Sequence, residues 1–413
     1  MVLTSAHRIA AASRLTAGLF AACVLASAAM PAFADESGVS ASRIVFGQVA
    51  ALTGPAAALG TGMRDGIRAA FAEANRDGGV QGRELVLDSR DDGYEPNNTI
   101  AATTQILGDN VFALIGSVGT PTTNAILPLL AESGVPLIGP FTGSEGLRNP
   151  RNPLVVNVRA SYFQETEVMV DHLTTDLGYR RIAIFYQDDS YGRAGLAGVQ
   201  QALDRRGMKL VSEGAYQRNT TAVSGSLLDI QRGDPEAVIM IGAYAPCAEF
   251  IKLARAKKMN ATFLNISFVG ADALAKALGP DGAGVVVTQV VPFPTNTSMP
   301  LVASYQAALK SFDPAAKPGF VSLEGYMAGR LAVMALRDIH GPLTRKALLD
   351  AIARTGNFDL GGVTLSFSPT SNQGSNSVWL TMIDGDGGIV PVKTLKRQTS
   401  DAGDAVNTAP GEN

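Results

Sequence analysis

Short apolar runs recur along the chain, and between them lie longer stretches whose apolar residues return every three or four positions. The runs are Ile44–Val49, Glu84–Asp88, Val111–Ile115, Val135–Ile138, Arg181–Tyr186, Ala237–Ile241 and Val285–Val291. Most are continuous rather than alternating, the pattern of strands covered on both faces in a parallel sheet. The stretches between them include Gly62–Asn75, Thr99–Gly108, Gln164–Leu177, Leu196–Arg206 and Ala248–Lys257. They read as helices; in the first, Met63, Ile67, Ala70 and Phe71 share one face. Strand–helix alternation predicts right-handed crossovers and an α/β fold of doubly wound, Rossmann-like sheets.

The strands are too numerous for one comfortable sheet, so two α/β lobes are expected. Crossing points fall at Asn157–Tyr162, after the Pro-containing lead-in Asn149–Pro153, and at Val291-Pro292-Phe293-Pro294. Long helices, Met299–Ser311 and Phe320–Ile339, follow the second crossing. No internal repeat of solenoid length is present.

Composition narrows the class. The chain has 413 residues, 46% hydrophobic and 17% charged, with a formal charge of −3. That balance is globular and points to no polyanion, so no nucleic-acid partner is expected. With 2 Cys and 3 His, a disulfide framework or a zinc site is not expected, nor any other cofactor. Arg8 and Arg14, the small and apolar stretch from Leu15 to Ala29, and Ala32-Phe33-Ala34 before Asp35-Glu36 read as a cleaved export signal over residues 1–34. A periplasmic location follows. Cys23 loosely matches a lipoprotein processing site, with Phe20 where an aliphatic residue is usual, and the plain signal is the preferred reading. Residues 397–413 are polar without a period and read as a disordered tail.

In open α/β sheets ligands bind beyond the carboxyl ends of the strands. The residues there are Leu52-Thr53-Gly54-Pro55 and Leu59 after the first run, Gly116 to Thr123 after the third and Gly139 to Ser144 after the fourth. Asp188-Asp189-Ser190-Tyr191-Gly192, Gly242-Ala243-Tyr244 and Phe268-Val269-Gly270-Ala271-Asp272 stand at the later ends. The first lobe offers small hydroxyls and free N–H groups at helix starts, which suit an anion. The second offers two Tyr and a carboxylate, which suit a cation with an apolar body. A zwitterion fits between them. Each feature has a plainer use: Thr120, Thr122 and Thr142 as helix caps, Tyr191 and Tyr244 as packing, and Asp272 as N-cap of a helix at Ala273–Leu278. No catalytic residue is expected; the enzyme alternative would rest on Asp188-Asp189 or on Cys247.

Taken together, Phe46-Gly47-Gln48, Leu52-Thr53-Gly54-Pro55, Asn75-Arg76-Asp77-Gly78-Gly79-Val80-Gln81-Gly82-Arg83 and Asp91-Asp92 carry a family resemblance. Leu114-Ile115-Gly116, Val135-Pro136-Leu137-Ile138, Tyr191-Gly192 and Phe268-Val269-Gly270 extend it. Over residues 44–352 the chain resembles the extracytoplasmic solute-binding proteins of ABC importers, in the leucine/isoleucine/valine-binding (type I periplasmic binding protein) family. The resemblance implies two lobes on a three-segment hinge, closing on a small amino-acid-like ligand and presenting it to a membrane permease. It places lobe 1 at 35–158 and 292–361 and lobe 2 at 159–291 and 362–396. It implies a carboxylate cradle at Thr120, Phe141, Thr142 and Gly143, closing aromatics at Tyr191 and Tyr244, an ammonium partner at Asp272, and pocket walls at Leu59 and Phe320. The branched-chain members carry an aromatic where Leu59 stands, Glu where Asp272 stands, and a disulfide where Tyr94 and Gly119 stand. Aromatic acids, amides and short polyols therefore stay open as ligands, and a sensor lobe of the same fold stays open as the role.

Overall fold

The computed structural model describes residues 36–148 and 152–397. The expected signal segment with Cys23, part of the 149–153 lead-in, and the tail beyond Arg397 lie outside these residues.

Strands β1 (Arg43–Ala50), β2 (Glu84–Asp91), β3 (Ala113–Ile115), β4 (Leu137–Ile138) and β5 (Val155–Val156) form a parallel five-stranded sheet in the order β2-β1-β3-β4-β5. Its crossover helices are α1 (Ala57–Arg76), α2 (Pro96–Gly108) and α3 (Thr120–Ser133). The second lobe carries α4 (Tyr162–Thr175), β6 (Ile182–Gln187), α5 (Ser190–Asp204), β7 (Ser212–Tyr216), α6 (Ser224–Gln231), β8 (Ala237–Ile241), α7 (Tyr244–Ala256), β9 (Thr262–Asn265), α8 (Ala271–Leu278) and β10 (Val286–Gln289). Its five parallel strands run β7-β6-β8-β9-β10, the order of the first sheet repeated. The two lobes are thus doubly wound in the same way, as the alternation predicts.

Three further helices follow: α9 (Pro300–Phe312), α10 (Phe320–Arg337) and α11 (Arg345–Thr355). Helix α10 lies against α1 with backbones almost touching. A Cβ at Gly66 would stand 1.9 Å from the Ser322 carbonyl oxygen, and one at Gly325 would stand 2.3 Å from that of Met63. Only Gly permits that approach. A small hairpin, β11 (Asn357–Asp359) and β12 (Thr364–Ser366), precedes β13 (Trp379–Ile383) and β14 (Ile389–Val392). The last pair adds antiparallel to β10, making the second sheet seven-stranded. The chain passes between lobes between β5 and α4, between β10 and α9, and between β12 and β13. The division expected at 361/362 falls inside the β11–β12 hairpin, whose two strands pair from Asn357↔Ser366 to Asp359↔Thr364.

Several elements differ from the sequence reading. Strands β5, β7, β9 and β11 to β14 are additional: β7 is an edge strand with an alternating pattern, and β9 is only 4 residues long. Helices α1, α5 and α7 each begin several residues earlier than their apolar periodicity shows, so Leu59, Tyr191 and Tyr244 sit in or beside first turns. Those first turns carry Ala, Gly and Ser at the positions where periodicity is read.

Candidate ligand-binding site

The strand ends of the two sheets face one another across one apolar cluster. It contains Leu59, Tyr94 and Phe141 from the first lobe and Tyr162, Tyr191 and Phe268 from the second, with Tyr244 packed against it. Phe268 is the hub. Its ring centroid lies 4.5 Å from Tyr191, 5.3 Å from Phe141 and 6.0 Å from Tyr94.

Gly119 turns the chain into α3 at φ 100°, a conformation that favours Gly. Its missing side chain also makes room for Tyr94, since a Cβ there would stand 2.2 Å from the Tyr94 ring. The two positions where the family's branched-chain members have a disulfide are therefore in contact here, ring on backbone. Thr120 opens α3, and its hydroxyl meets that of Thr142 at 2.7 Å, both buried. Thr142 Oγ1 also accepts the Ser144 N–H at 3.2 Å. Tyr162 opens α4 behind a capping box of Ser161 and Gln164. It lies over Gly143, whose carbonyl accepts the Tyr162 N–H at 2.7 Å. The Tyr162 hydroxyl approaches Thr120 and Thr142 but makes no well-formed hydrogen bond. Tyr191 donates to the Gly242 carbonyl at 3.4 Å, and Leu59 fills the space beside Gly270. Across the lobes, the Ala58 N–H donates to the Tyr244 hydroxyl at 3.4 Å.

Asp272 and Phe320 are placed differently. Helix α8 is preceded by Gly270, so Asp272 does not cap its own helix, as the plainer reading expects. Its Oδ2 instead accepts the Phe320 N–H at 3.2 Å, serving the start of α10 in the other lobe. The Phe320 ring meets Phe293 edge-on at 5.5 Å. Both residues line a cavity of about 610 Å³, together with Lys276, Phe293, Pro318 and Ile389. That volume is in the range of small-molecule sites. Asp272 is open to it on one side.

Beneath the aromatic cluster lies a charged group that the sequence reading passed over. Arg159, in the first crossing segment, is wholly buried, with its guanidinium 4.9 Å from the Phe141 ring centroid. Its Nη2 donates to Ser267 Oγ and, at 3.3 Å, to Glu165 of α4. Glu165 also accepts from Ser267 N–H at 2.9 Å, Ser267 Oγ at 3.0 Å and Thr288 Oγ1 at 2.6 Å. On the other side, Arg159 Nη1 stands 3.6 Å from Glu324 of α10. Burial raises the Glu324 carboxyl to about 7, against the pull of Arg159. Two signals in the sequence lead here: a lone Arg just before a Ser-x-x-Gln cap, and the single acid in α10.

The residues of the enzyme alternative are otherwise engaged. Asp188 pairs with Arg193 at 2.9 Å, and Asp189 accepts the Tyr191 N–H at 2.9 Å while pairing with Arg218. Cys247 is buried and its thiol is pushed up by burial, which disfavours the thiolate. Among the described residues, no group of three His, Cys, Asp or Glu is placed to hold a metal ion, and no helix is long and apolar enough to cross a membrane.

Two lobes of identical winding, closing strand ends upon strand ends, define the class. The chain belongs to the periplasmic binding protein family, whose model matches residues 43–388. A Leu/Ile/Val-binding protein of Rhizobium johnstonii is 26% identical over 58% of this chain and 65% of its own length. A Brucella melitensis homologue is 26% identical over 54% and 60%, so the match spans just under two thirds of these relatives. The crystal structure of a possible leucine/isoleucine/valine-binding protein from Rhodopirellula baltica is 40% identical, covering 87% of this chain and 98% of that one, with a TM-score of 0.82. A substrate-binding periplasmic protein from Ralstonia solanacearum is 28% identical over 84% and 100%, with a TM-score of 0.80. These relatives are binding proteins.

Proposed function

We propose that the protein is the solute-binding component of an ABC importer, working in the periplasm and delivering a small amino-acid-like ligand to a membrane permease. The observation that carries this reading is the buried Thr120–Thr142 hydroxyl pair, 2.7 Å apart in one lobe and approached by Tyr162 of the other, whose ring packs on Tyr191 and through it on Phe268. A ligand gripped by hydroxyls of one lobe and aromatics of the other favours the closed state, and closure is the signal a permease reads. In this reading Thr120, Phe141, Thr142 and Gly143 form the carboxylate cradle. Tyr191 and Tyr244 close over it, Asp272 meets the amine, and Leu59 and Phe320 wall the side chain. The names of the relatives favour neutral amino acids such as leucine.

The test is thermal unfolding of residues 35–413, stripped of carried ligand by unfolding and refolding. The panel is the twenty amino acids, aromatic acids, amides and polyols. Saturation at about 100 times Kd adds about 2.7 kcal/mol, a shift of several degrees. A shift with neutral amino acids supports the reading; a flat response across the panel overturns it.

A further inference from the structure

One bulky side chain stands on backbone that bulky residues avoid. Tyr94, in the turn between β2 and α2, has φ 63° and is 1% exposed. A large side chain on left-handed backbone persists only where its surroundings fix it. Locally, Asp92 Oδ1 accepts the Tyr94 N–H at 2.8 Å, and Asp92 Oδ2 is held by Thr99 Oγ1 at 2.9 Å. These bonds fix the turn but not the ring.

The ring is held mainly from the opposite lobe. Gly119, of its own lobe, lies against it. From the second lobe, the Phe268 ring stands 6.0 Å away, the Arg218 guanidinium lies 6.0 Å from the ring centroid, and Gln187 Nε2 donates to the hydroxyl at 3.3 Å. Gln187 is itself braced: Nε2 also donates to Asp189 at 2.7 Å, and Oε1 accepts from Tyr216 at 3.1 Å. The residues on either side of Tyr94 are taken by the same lobe. Asn219 Nδ2 donates to the Gly93 carbonyl at 3.0 Å, and Arg218 and Asn219 share the Glu95 carboxylate. Asn219 stands at φ 59°, so two left-handed turns meet. Three consecutive residues of one lobe are thus engaged by the other, with the strained residue in the middle.

We infer that Tyr94 is a positioning residue for the joining of the lobes. Its ring, set between Gly119 and Phe268, holds the β2–α2 turn in the conformation that presents Gly93 and Glu95 to Asn219 and Arg218. The strain points the same way, because the contacts that offset it are chiefly those of the other lobe. When the lobes part, the ring loses Phe268, Gln187 and Arg218, and the left-handed turn keeps only Asp92 and Gly119. The conformation of Tyr94 and the joining of the lobes therefore change together, as one two-state element. The ring also packs on Phe268, the hub of the aromatic cluster, so the cleft and the Glu95–Arg218 contact share one residue. The consequence for ligand retention rests on the reading above; the joining of the lobes does not.

Spin labels on the stripped chain of residues 35–413 read the joining directly. One sits at Glu132→Cys on α3 and one at Gln200→Cys on α5, both exposed, while the native Cys247 is buried. Double electron–electron resonance gives the distance distribution, without added ligand and with each amino acid of the panel that raises Tm. Tyr94→Asn is the principal variant, because Asn tolerates left-handed backbone and the turn keeps its shape while the ring is lost. The ratio of joined to parted molecules should fall about tenfold in Tyr94→Asn, and by about threefold or less in Tyr94→Phe, which loses only the hydroxyl. An amino acid that binds should leave the Asn variant about tenfold faster. An unchanged ratio in the folded Asn variant, even with a lowered Tm, overturns the inference, and so does a wild type with no joined molecules in any condition. If Tyr94→Asn does not unfold cooperatively, Tyr94→His takes its place, since His also accepts left-handed backbone and keeps a smaller ring. A fall of about threefold is then expected, and an unchanged ratio refutes the role. A flat ligand panel with the ratios as expected overturns the binding reading and leaves the inference standing.

Discussion

Glu95, at the head of α2 in one lobe, is bound by Arg218, beyond β7 in the other, at 2.8 Å. Asn219 Nδ2 reaches the same carboxylate at 2.7 Å, and Arg218 also holds Asp189 at 2.9 Å. This clasp joins the two lobes. Its charges are partly solvated, so it is worth about 0.5–1 kcal/mol. Glu95→Gln should therefore speed ligand release about two- to fivefold with little change in association rate. Stopped-flow displacement measures both rates, and an unaltered dissociation rate would show that the clasp does not hold the closed state.

Thr120→Val and Thr142→Val each remove one half of a buried hydroxyl pair and strand the other. Each should weaken a carboxylate ligand by about 1–2 kcal/mol and spare neutral ligands. Because the two share one hydrogen bond, the double variant should fall short of the sum. Strict additivity in calorimetry would mean that the hydroxyls contact the ligand independently.

Asp272→Asn keeps an oxygen to accept the Phe320 N–H while removing the charge. Stability should stay within about 0.5 kcal/mol. Affinity for an amine-bearing ligand should drop by about 1–2 kcal/mol, less than for a wholly buried pair, since Asp272 is open to solvent on one side. If leucine-type ligands bind the variant as before, Asp272 serves only the helix start.

The folded-state carboxyl of Glu324 titrates near 7, raised from 4.5. A raised acid contributes its full stability below the unfolded value and loses it as pH climbs through the folded one. Stability should thus fall between about pH 4.5 and 7, by on the order of 1–3 kcal/mol. Asp92, buried and raised to about 6, adds a slope of the same sign. Glu324→Gln should flatten its share of the slope and raise Tm more at pH 8 than at pH 5. Parallel Tm curves for the two proteins would mean that Glu324 is ionised throughout.

Gly66→Ala would drive a methyl group into the Ser322 carbonyl, 1.9 Å from where its Cβ must sit. Separating α1 from α10 should cost about 1–3 kcal/mol in urea unfolding. Since α10 also carries Glu324 and begins at Phe320, ligand affinity should fall with it. A variant as stable as wild type would show that the helices can part freely.

The sequence pattern makes the winding of both lobes legible, because continuous apolar runs at strand–helix spacing leave few alternatives. It also brings the strand-end residues Thr120, Phe141, Thr142, Gly143, Tyr191 and Tyr244 forward, and the fold sets these around one cluster, with Leu59 beside them. Asp272, read beyond a strand end, and Phe320, taken from the family resemblance, sit at a neighbouring cavity, where the start of α10 from the other lobe takes the carboxylate. Arg159, Glu165 and Glu324 escape notice for a physical reason. Their burial is a product of three segments far apart in sequence, and no local periodicity records it. The short edge strand β7 and the hairpin β13–β14 escape because alternation over so few residues is indistinguishable from a loop.

The return of the chain after β10 has a consequence for how the molecule is made. Helices α9 to α11 complete the first lobe, and β13 and β14, ending at Val392, complete the second. Neither lobe is covalently whole until almost the entire chain has been synthesised. A chain whose C-terminal third has not yet been made therefore lacks a finished core on either side, and the apolar face of α1 is left uncovered until α10 arrives.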